Sequence, residues 1–170
     1  SNGDTSFGAT NTTSNTDFTR GTSSGDEDAG GYYAFQVGGA SDVALGFQPT
    51  GSDFSPGSYI LKITNNTGTT VTRFEVDYEL WVHNNENRSS SVNFSYSADD
   101  SSYTSVGSLD FTSTAAQDGS PAWSSNAKNT TIYGISISDG SSIFLKWTHS
   151  DVSGSGSKDE FAIDDIVIKL

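Results

Sequence analysis

Acidic residues near the C-terminus are the side chains whose types and spacing could bind a metal ion. Asp164 and Asp165 interrupt an apolar run, FAIDDIVI, at residues 161–168. A carboxylate in such a strand is costly unless it is paired, hydrogen-bonded or bound to metal. With 8 Lys and Arg against 21 Asp and Glu, we expect calcium, which prefers oxygen ligands. The candidate ligands are Asp164, Asp165, Asp159 and Asp151, and the alternative is a carboxylate held by backbone N–H groups without an ion.

A second group of residues could recognise a sugar. Trp81 is out of phase with the apolar residues of its strand and shares a face with Glu79 and His83, while Arg88 follows the next turn and Trp123 lies in a predicted loop. Aromatic rings stack on sugar rings, and charged neighbours hydrogen-bond to hydroxyls. We therefore take all five as candidate carbohydrate-binding residues. The alternative is that Trp81 packs against neighbouring strands on a covered face.

A catalytic function has weaker support in the sequence. Glu75, Asp77 and Glu79 share one strand face, and neighbours two apart lie roughly 7 Å from one another, a separation that a two-carboxylate hydrolase could use. Any solvated acidic strand has this geometry, however. The chain has no cysteine and only two histidines, His83 and His149, and it has no phosphate-binding loop or nucleophile-elbow motif. We therefore expect a protein that is not an enzyme.

Charge and composition exclude several partners. The formal net charge is −13, which argues against nucleic acid and anionic membrane surfaces as ligands, because both attract basic patches. The apolar runs are too short to span a membrane. The chain is 32% hydrophobic, but 12% of it is aromatic, enough to fill a core with large side chains. We expect a monomer with one such core.

The hydrophobic pattern predicts strands throughout. Residues 71–83 alternate strictly, with apolar side chains on one face and charged ones on the other, as a half-buried antiparallel strand requires. Further strands are predicted at residues 32–37, 42–47, 58–64, 92–96, 103–111, 130–138, 143–147 and 161–168. Short strands separated by turns rich in Gly, Ser, Asn and Asp favour an all-β, two-sheet antiparallel β-sandwich of jelly-roll type. Residues 1–170 are predicted to form a single domain, with residues 1–30 loosely ordered.

The C-terminal two-thirds resembles accessory β-sandwich domains found in large secreted proteins of environmental bacteria. The most specific block is DVSGSGSKDEFAIDDI at residues 151–166, and weaker blocks occur in the family's order. These are residues 44–47, 63–68, 76–78, 94–97 and 144–147. The closing IDDI is also similar to the last strand of MAM-type domains and of calcium-containing jelly-roll carbohydrate-binding modules. In those modules the first Asp of the pair helps to hold a structural calcium ion, a role that carries over to Asp164.

The resemblance implies an extracellular, non-catalytic module. Our first hypothesis is a carbohydrate-binding module of a secreted bacterial enzyme that degrades polysaccharides, with calcium as a structural ion and an attached catalytic or surface-anchored domain. The net charge favours neutral glycans over sulfated or uronate polymers, unless Arg73, Arg88 and Lys128 cluster or calcium bridges. The alternative is a calcium-binding structural or adhesive spacer of a large cell-surface protein.

Overall fold

The structure is a computed structural model that describes residues 19–51 and 53–170. These residues form eleven strands and one short 3₁₀ turn at Gly107–Leu109. The strands are β1 (Thr19–Ser23), β2 (Gly31–Phe35), β3 (Ala44–Gln48), β4 (Gly57–Thr64), β5 (Val71–His83), β6 (Arg88–Ser97), β7 (Thr104–Ser105), β8 (Phe111–Thr112), β9 (Trp123–Ile137), β10 (Ser142–Gly154) and β11 (Glu160–Lys169). Over the same ranges, no helix is long and apolar enough to cross a membrane.

The strands form two sheets. The larger has the order β1-β2-β3-β11-β5-β9, and the smaller has the order β4-β10-β6-β7, with β8 also pairing with β6. All pairs are antiparallel except β1 with β2. From β3 to β6 and from β8 to β11, each connection crosses from one sheet to the other. The predicted all-β sandwich is thus confirmed.

The core lies between the two sheets and is rich in aromatic rings. The alternation of β5 places its apolar residues in this core, so the predicted strand at residues 71–83 is confirmed with its boundaries. Trp147 is 2% exposed and packs on Tyr78 and Phe94 with centroid distances of 5.4 and 5.3 Å. Such aromatic contacts contribute beyond the area that they bury.

A second apolar cluster covers part of the outer face of the larger sheet. It consists of Tyr33, Phe35, Val37, Ala44 and Ala162, with Trp81 and Trp123 packed against it. The ring of Phe35 lies over Gly46, where a Cβ atom would approach its Cδ2 within 2.2 Å. The absence of a side chain at Gly46 therefore makes room for this aromatic layer.

Several predicted element boundaries were wrong. The strand expected at residues 103–111 is two short strands separated by the 3₁₀ turn that buries Leu109. Trp123, expected in a loop, begins β9. Of the N-terminal segment expected to be loosely ordered, residues 1–18 lie outside the described residues, whereas Thr19–Ser23 forms β1.

The apolar residues around Asp164 and Asp165 of β11 suggested that this acidic pair is buried, but the structure does not bury it. The strand is central, between β3 and β5. At Asp164 and Asp165, however, the pairing with β5 shifts in register. Asp165 is exposed and has a φ of 51°, while Asp164 is half-buried and accepts a hydrogen bond from the Asp165 N–H at 2.9 Å. Asp164 is still in register opposite Glu79 on the outer face, and the β-bulge that follows turns Asp165 toward solvent as well, which removes the burial cost.

Candidate functional site

A cleft of about 410 Å³ opens where β5 ends, and we call it the end cleft. Its walls come from the loop after β1, the loop after β5 and the segment before β9. The lining residues are Ser24, Gly25, Asp26, His83, Asn85, Gln117 and Pro121. The cleft therefore joins three segments that are far apart in sequence.

Two aromatic rings stand behind the loop that forms one wall of the end cleft. His83 and Trp123 are directly opposed across β5 and β9, and their ring centroids are 5.3 Å apart. The Trp123 indole N–H donates to the Ser24 carbonyl at 2.7 Å. Gly25 lies against both rings, with a φ of 113°, so a side chain there would be strained and crowded. These contacts hold the wall close to the rings.

Glu160 ties the same wall to the larger sheet. Its side chain is fully buried, and Oε1 accepts the Glu27 backbone N–H at 2.5 Å. Its Oε2 atom lies 3.4 Å from His83 Nδ1, an ion-pair contact too long for a strong hydrogen bond. The adjacent Glu160 carboxylate raises the pKa of His83 despite partial burial. The cleft therefore has a histidine that favours its protonated form.

Asp159 holds the opposite wall in the same manner. Its Oδ1 accepts the Glu86 backbone N–H at 3.1 Å, and its Oδ2 accepts the Ser113 hydroxyl at 2.8 Å. The carboxyl is fully buried, and burial raises its pKa to about 6 in spite of these two bonds. Asp159, directly before β11, and Glu160, its first residue, thus anchor the two loops that flank the end cleft.

The lining groups retain capacity for hydrogen bonds. Asn85 donates through Nδ2 to Asp26 Oδ1 at 3.1 Å, while its Oδ1 is buried on the His83 side, where the Asn85 side chain contributes to the raised pKa of that histidine. Gln117 accepts from Asn87 Nδ2 at 2.7 Å through Oε1, so its amide NH₂ is oriented with donor capacity. The exposed Asp26 carboxylate accepts further bonds. Such a mixture of fixed donors and acceptors can bind vicinal hydroxyl groups.

Trp81 and Glu79 lie along the same face of β5 as His83. Trp81 is opposite Ala162 on one side and Ser125 on the other, and it is half-buried against the outer apolar cluster. Glu79 is half-buried opposite Asp164. The structure thus brings three of the five predicted sugar-binding residues together (Trp81, His83 and Trp123), with Glu79 farther along the strand.

Arg88 does not lie with this group, contrary to the prediction. It begins β6 of the smaller sheet, and its Nη1 is 2.7 Å from Asp151 Oδ2. Lys158 contacts the other oxygen of Asp151 at 3.0 Å. Asp151 therefore neutralises two cations, a role that differs from the metal ligation expected for it.

The four predicted metal ligands do not converge on one point. Asp159 directly precedes β11 and is five residues from Asp164, which separates them by about 17 Å in extended backbone, and Asp151 belongs to the other sheet. Within residues 19–51 and 53–170, no three His, Asp or Glu side chains are close enough to share an ion. The described residues therefore do not assemble the predicted calcium shell, and calcium stays a prediction.

Sequence reasoning did not select Asp26, Asn85, Gln117 or Glu160. Asp26 stood out only as part of an acidic run that is usually a solvated loop. The signal for Glu160 was its position directly before an apolar strand, which requires a buried partner for the carboxylate. No local sequence pattern marks Asn85 or Gln117, because their positions in the same cleft depend on how distant loops pack.

Comparisons with known proteins give similarity to solved structures alone. The chain matches no protein-family model, and no curated protein matches it. Among solved structures, it is similar to TmCBM61 in complex with β-1,4-galactotriose, with a TM-score of 0.45 and 17% sequence identity. The match covers 85% of this chain and 84% of that chain.

Proposed function

We propose that this protein is a non-catalytic polysaccharide-binding module that holds a neutral sugar unit in the end cleft. The observation that carries the proposal is the chemistry of the lining: the exposed Asp26 carboxylate, the Asn85 amide and the Gln117 amide meet in one concave site. Sugar hydroxyls need both donors and acceptors at fixed positions, and a largely pre-formed cleft lowers the entropic cost of binding.

Rigid support for the cleft favours binding. The buried carboxylates of Asp159 and Glu160 fix both flanking loops through backbone N–H groups. A site whose supporting loops are fixed by buried hydrogen bonds keeps its geometry without a ligand. In a larger secreted protein, the module would raise the local concentration of an attached catalytic or surface-anchored domain on its substrate.

The hydrolase alternative loses support at Glu75. Its Oε1 is 2.6 Å from Lys169 Nζ, and this lysine lowers the pKa of the Glu75 carboxyl. A general acid requires the opposite shift. Glu75 therefore does not have the environment of the protonated partner in a two-carboxylate mechanism.

A structural spacer is the second candidate, and the tryptophans favour it. The Trp123 indole N–H is used by the protein's own loop, and Trp81 packs against the outer apolar cluster. Neither ring is a fully open platform for a sugar. A spacer would bind no glycan at all, which separates the two candidates directly.

The test is calorimetry with soluble neutral glycans, including a galactan, a xylan and a mixed β-glucan. We expect one or more to bind, and Asp26→Asn combined with Asn85→Ala to lower the affinity by about tenfold or more, because hydrogen bonds to charged and buried groups are lost. Asn at position 26 tolerates the φ of 67° found there. Asn66→Ala, an exposed amide before the other end of β5, is the matched control. If the folded wild-type protein binds no glycan, the proposal fails and the spacer hypothesis remains.

A further inference from the structure

The outer face of the smaller sheet has an unusual distribution of charge. Ile143, Leu145 and Trp147 of β10 are buried, so the alternate residues Phe144, Lys146 and Thr148 point outward. The register places further residues of β4 and β6 beside them. We call the following set the lysine face: Ser58, Ile60, Lys62, Asn93, Ser95, Phe144, Lys146 and Thr148.

The lysine face contains no carboxylate, although acidic residues outnumber basic ones 21 to 8 in the chain. The outer face of the larger sheet has the opposite character, because Glu75, Asp77 and Glu79 follow one another along β5 and Asp164 lies opposite Glu79. The two outer faces of the sandwich are therefore electrostatically different. Such a contrast concentrates an attractive potential for anions on one side of an acidic protein.

The two lysines are diagonal neighbours that contact aromatic rings. Lys62 lies opposite Phe144 in the register, and its Nζ is 5.7 Å from that ring centroid. Lys146 is two residues farther along β10, and its Nζ is 3.3 Å from the centroid of Tyr103, whose hydroxyl bonds to Asp100. Among the described residues, no carboxylate lies within 4.0 Å of either ammonium group. A cation held only by a ring remains available to an anion.

Four other cations of the chain are already neutralised or engaged. Arg88 and Lys158 contact Asp151, Lys169 contacts Glu75, and Lys128 donates to the Asp110 carbonyl at 2.6 Å. In contrast, Lys62 and Lys146 contact aromatic rings and lie together on one sheet face. These two ammonium groups lie among hydroxyl, amide and aromatic side chains.

We propose that the lysine face binds an anionic polysaccharide through its carboxylate or sulfate groups. The ammonium groups of Lys62 and Lys146 contact the charged substituents, while Phe144 and Tyr103 offer apolar surface to the sugar rings and Asn93 and Ser95 offer hydrogen bonds. The net charge of −13 does not prevent this contact, because the Debye length is about 8 Å at physiological ionic strength. At contact distance the local charge pattern decides, so the lysine face can attract an anionic group that the net charge alone disfavours.

The test compares polymers that differ only in charge. Wild-type protein is titrated by calorimetry with polygalacturonate and its methyl ester, and with dextran sulfate and dextran. We expect binding to a charged polymer, weakened by added NaCl, and no binding to its neutral counterpart. Whether polygalacturonate or dextran sulfate binds distinguishes the carboxylate from the sulfate. Failure to bind either charged polymer would overturn the proposal.

Matched double variants locate the site. Lys62→Gln with Lys146→Gln should lower the affinity for the charged polymer about tenfold, since two ion contacts are lost, and Lys62→Arg with Lys146→Arg should retain it. Arg73→Gln with Lys169→Gln removes the same charge from the acidic outer face and should have little effect. Equal losses in both Gln double variants would overturn the proposal, because they would reflect net charge alone.

The outcomes separate this surface from the end cleft. The variant Asp26→Asn with Asn85→Ala should leave binding of the charged polymer unchanged, so a loss in that variant would place the anion elsewhere and overturn the proposal. Sedimentation of the wild type and of the Lys62→Gln, Lys146→Gln variant tests a different occupant, the acidic face of a second copy. A wild-type oligomer that dissociates in this variant would likewise overturn the proposal.

Discussion

His83 and Glu160 are directly opposed across β5 and β11, and His83 Nδ1 lies 3.4 Å from Glu160 Oε2. The other carboxylate oxygen binds the Glu27 backbone N–H, 133 residues away in the chain. One buried carboxylate thus connects a central strand, a histidine at the end of its neighbour and the loop that forms a wall of the end cleft. The stability of the cleft therefore depends on Glu160.

Removal of this carboxylate should destabilise the fold strongly. Glu160→Ala leaves the Glu27 N–H and His83 without their partner, and we expect the free energy of unfolding to fall by about 3 kcal/mol. Glu160→Gln retains a carbonyl oxygen for the Glu27 N–H and should cost about 1 kcal/mol. Urea unfolding measures both. Glu75→Ala, which removes an exposed pair with Lys169, is the control and should change little. Equal effects of all three would contradict the role of Glu160.

The contribution of His83 should depend on pH. Because Glu160 raises the pKa of His83 in the folded protein, this stabilisation is fully present below the ordinary histidine pKa of about 6.5 and is lost as the pH rises through the raised value. We therefore expect Glu160→Gln to cost more at pH 5 than at pH 8. Urea unfolding at both values measures the difference. An effect independent of pH would show that His83 is not charged by this contact.

Asp159 should make the protein less stable as the pH rises between about 4 and 6. Burial raises its pKa to about 6 in the folded protein, so the native state retains a proton that the unfolded chain releases. Each such proton lowers the free energy of unfolding by about 1.4 kcal/mol per pH unit. The Asp159→Asn variant does not titrate here, and the difference in slope from the wild type isolates this residue.

The comparison with Asp159→Asn is needed because other groups titrate in a similar pH range. His149 is buried, and burial lowers its pKa, so its contribution is present above about pH 6.5 and is lost as the pH falls. This change opposes that of His83. If unfolding curves of Asp159→Asn and wild type have the same slope from pH 4 to 6, the raised pKa of Asp159 is refuted.

Two leucine substitutions test where the core ends. Leu80 is 0% exposed and lies between the sheets, whereas Leu45 is 50% exposed. We expect Leu80→Ala to lower the free energy of unfolding by about 2–5 kcal/mol, through lost burial and the cavity left behind, and Leu45→Ala to cost much less. Chemical denaturation compares the same substitution at both positions. A similar cost would contradict the packing described for β3 and β5.

Calcium remains to be tested by thermal unfolding. An ion that binds only the folded protein must stabilise it, so a structural calcium at Asp164 predicts that a chelator lowers the melting temperature. Asp164→Ala should lower it to a similar extent and abolish the effect of the chelator. Asp42→Ala, which removes an exposed carboxylate before β3, is the control. An unchanged melting temperature in chelator would end the calcium hypothesis.

The strand β5 was predictable to the residue, whereas the role of β11 was not. In β5 the alternation is strict from Arg73 to Val82, and each side chain there reaches its face through local geometry alone. In β11 the same reading placed Asp164 and Asp165 in an apolar environment. The bulge there depends on pairing with β5, whose residues lie far away in sequence. Trp123 was misplaced for a related reason, since its strand is rich in Ser and Asn and pairs through backbone groups.

The residue pattern by itself determined the all-β sandwich, the aromatic core and the acidic character of the chain. These follow from periodicity, side-chain size and net charge, which are properties of neighbouring residues or of the whole composition. Tertiary structure alone decided which carboxylates are buried, that Asp26, Asn85 and Gln117 share a cleft, and that Lys62 and Lys146 occupy a face without acids. The physical reason is that these arrangements depend on strand register and loop packing between distant segments, for which no short stretch of the chain carries a signal.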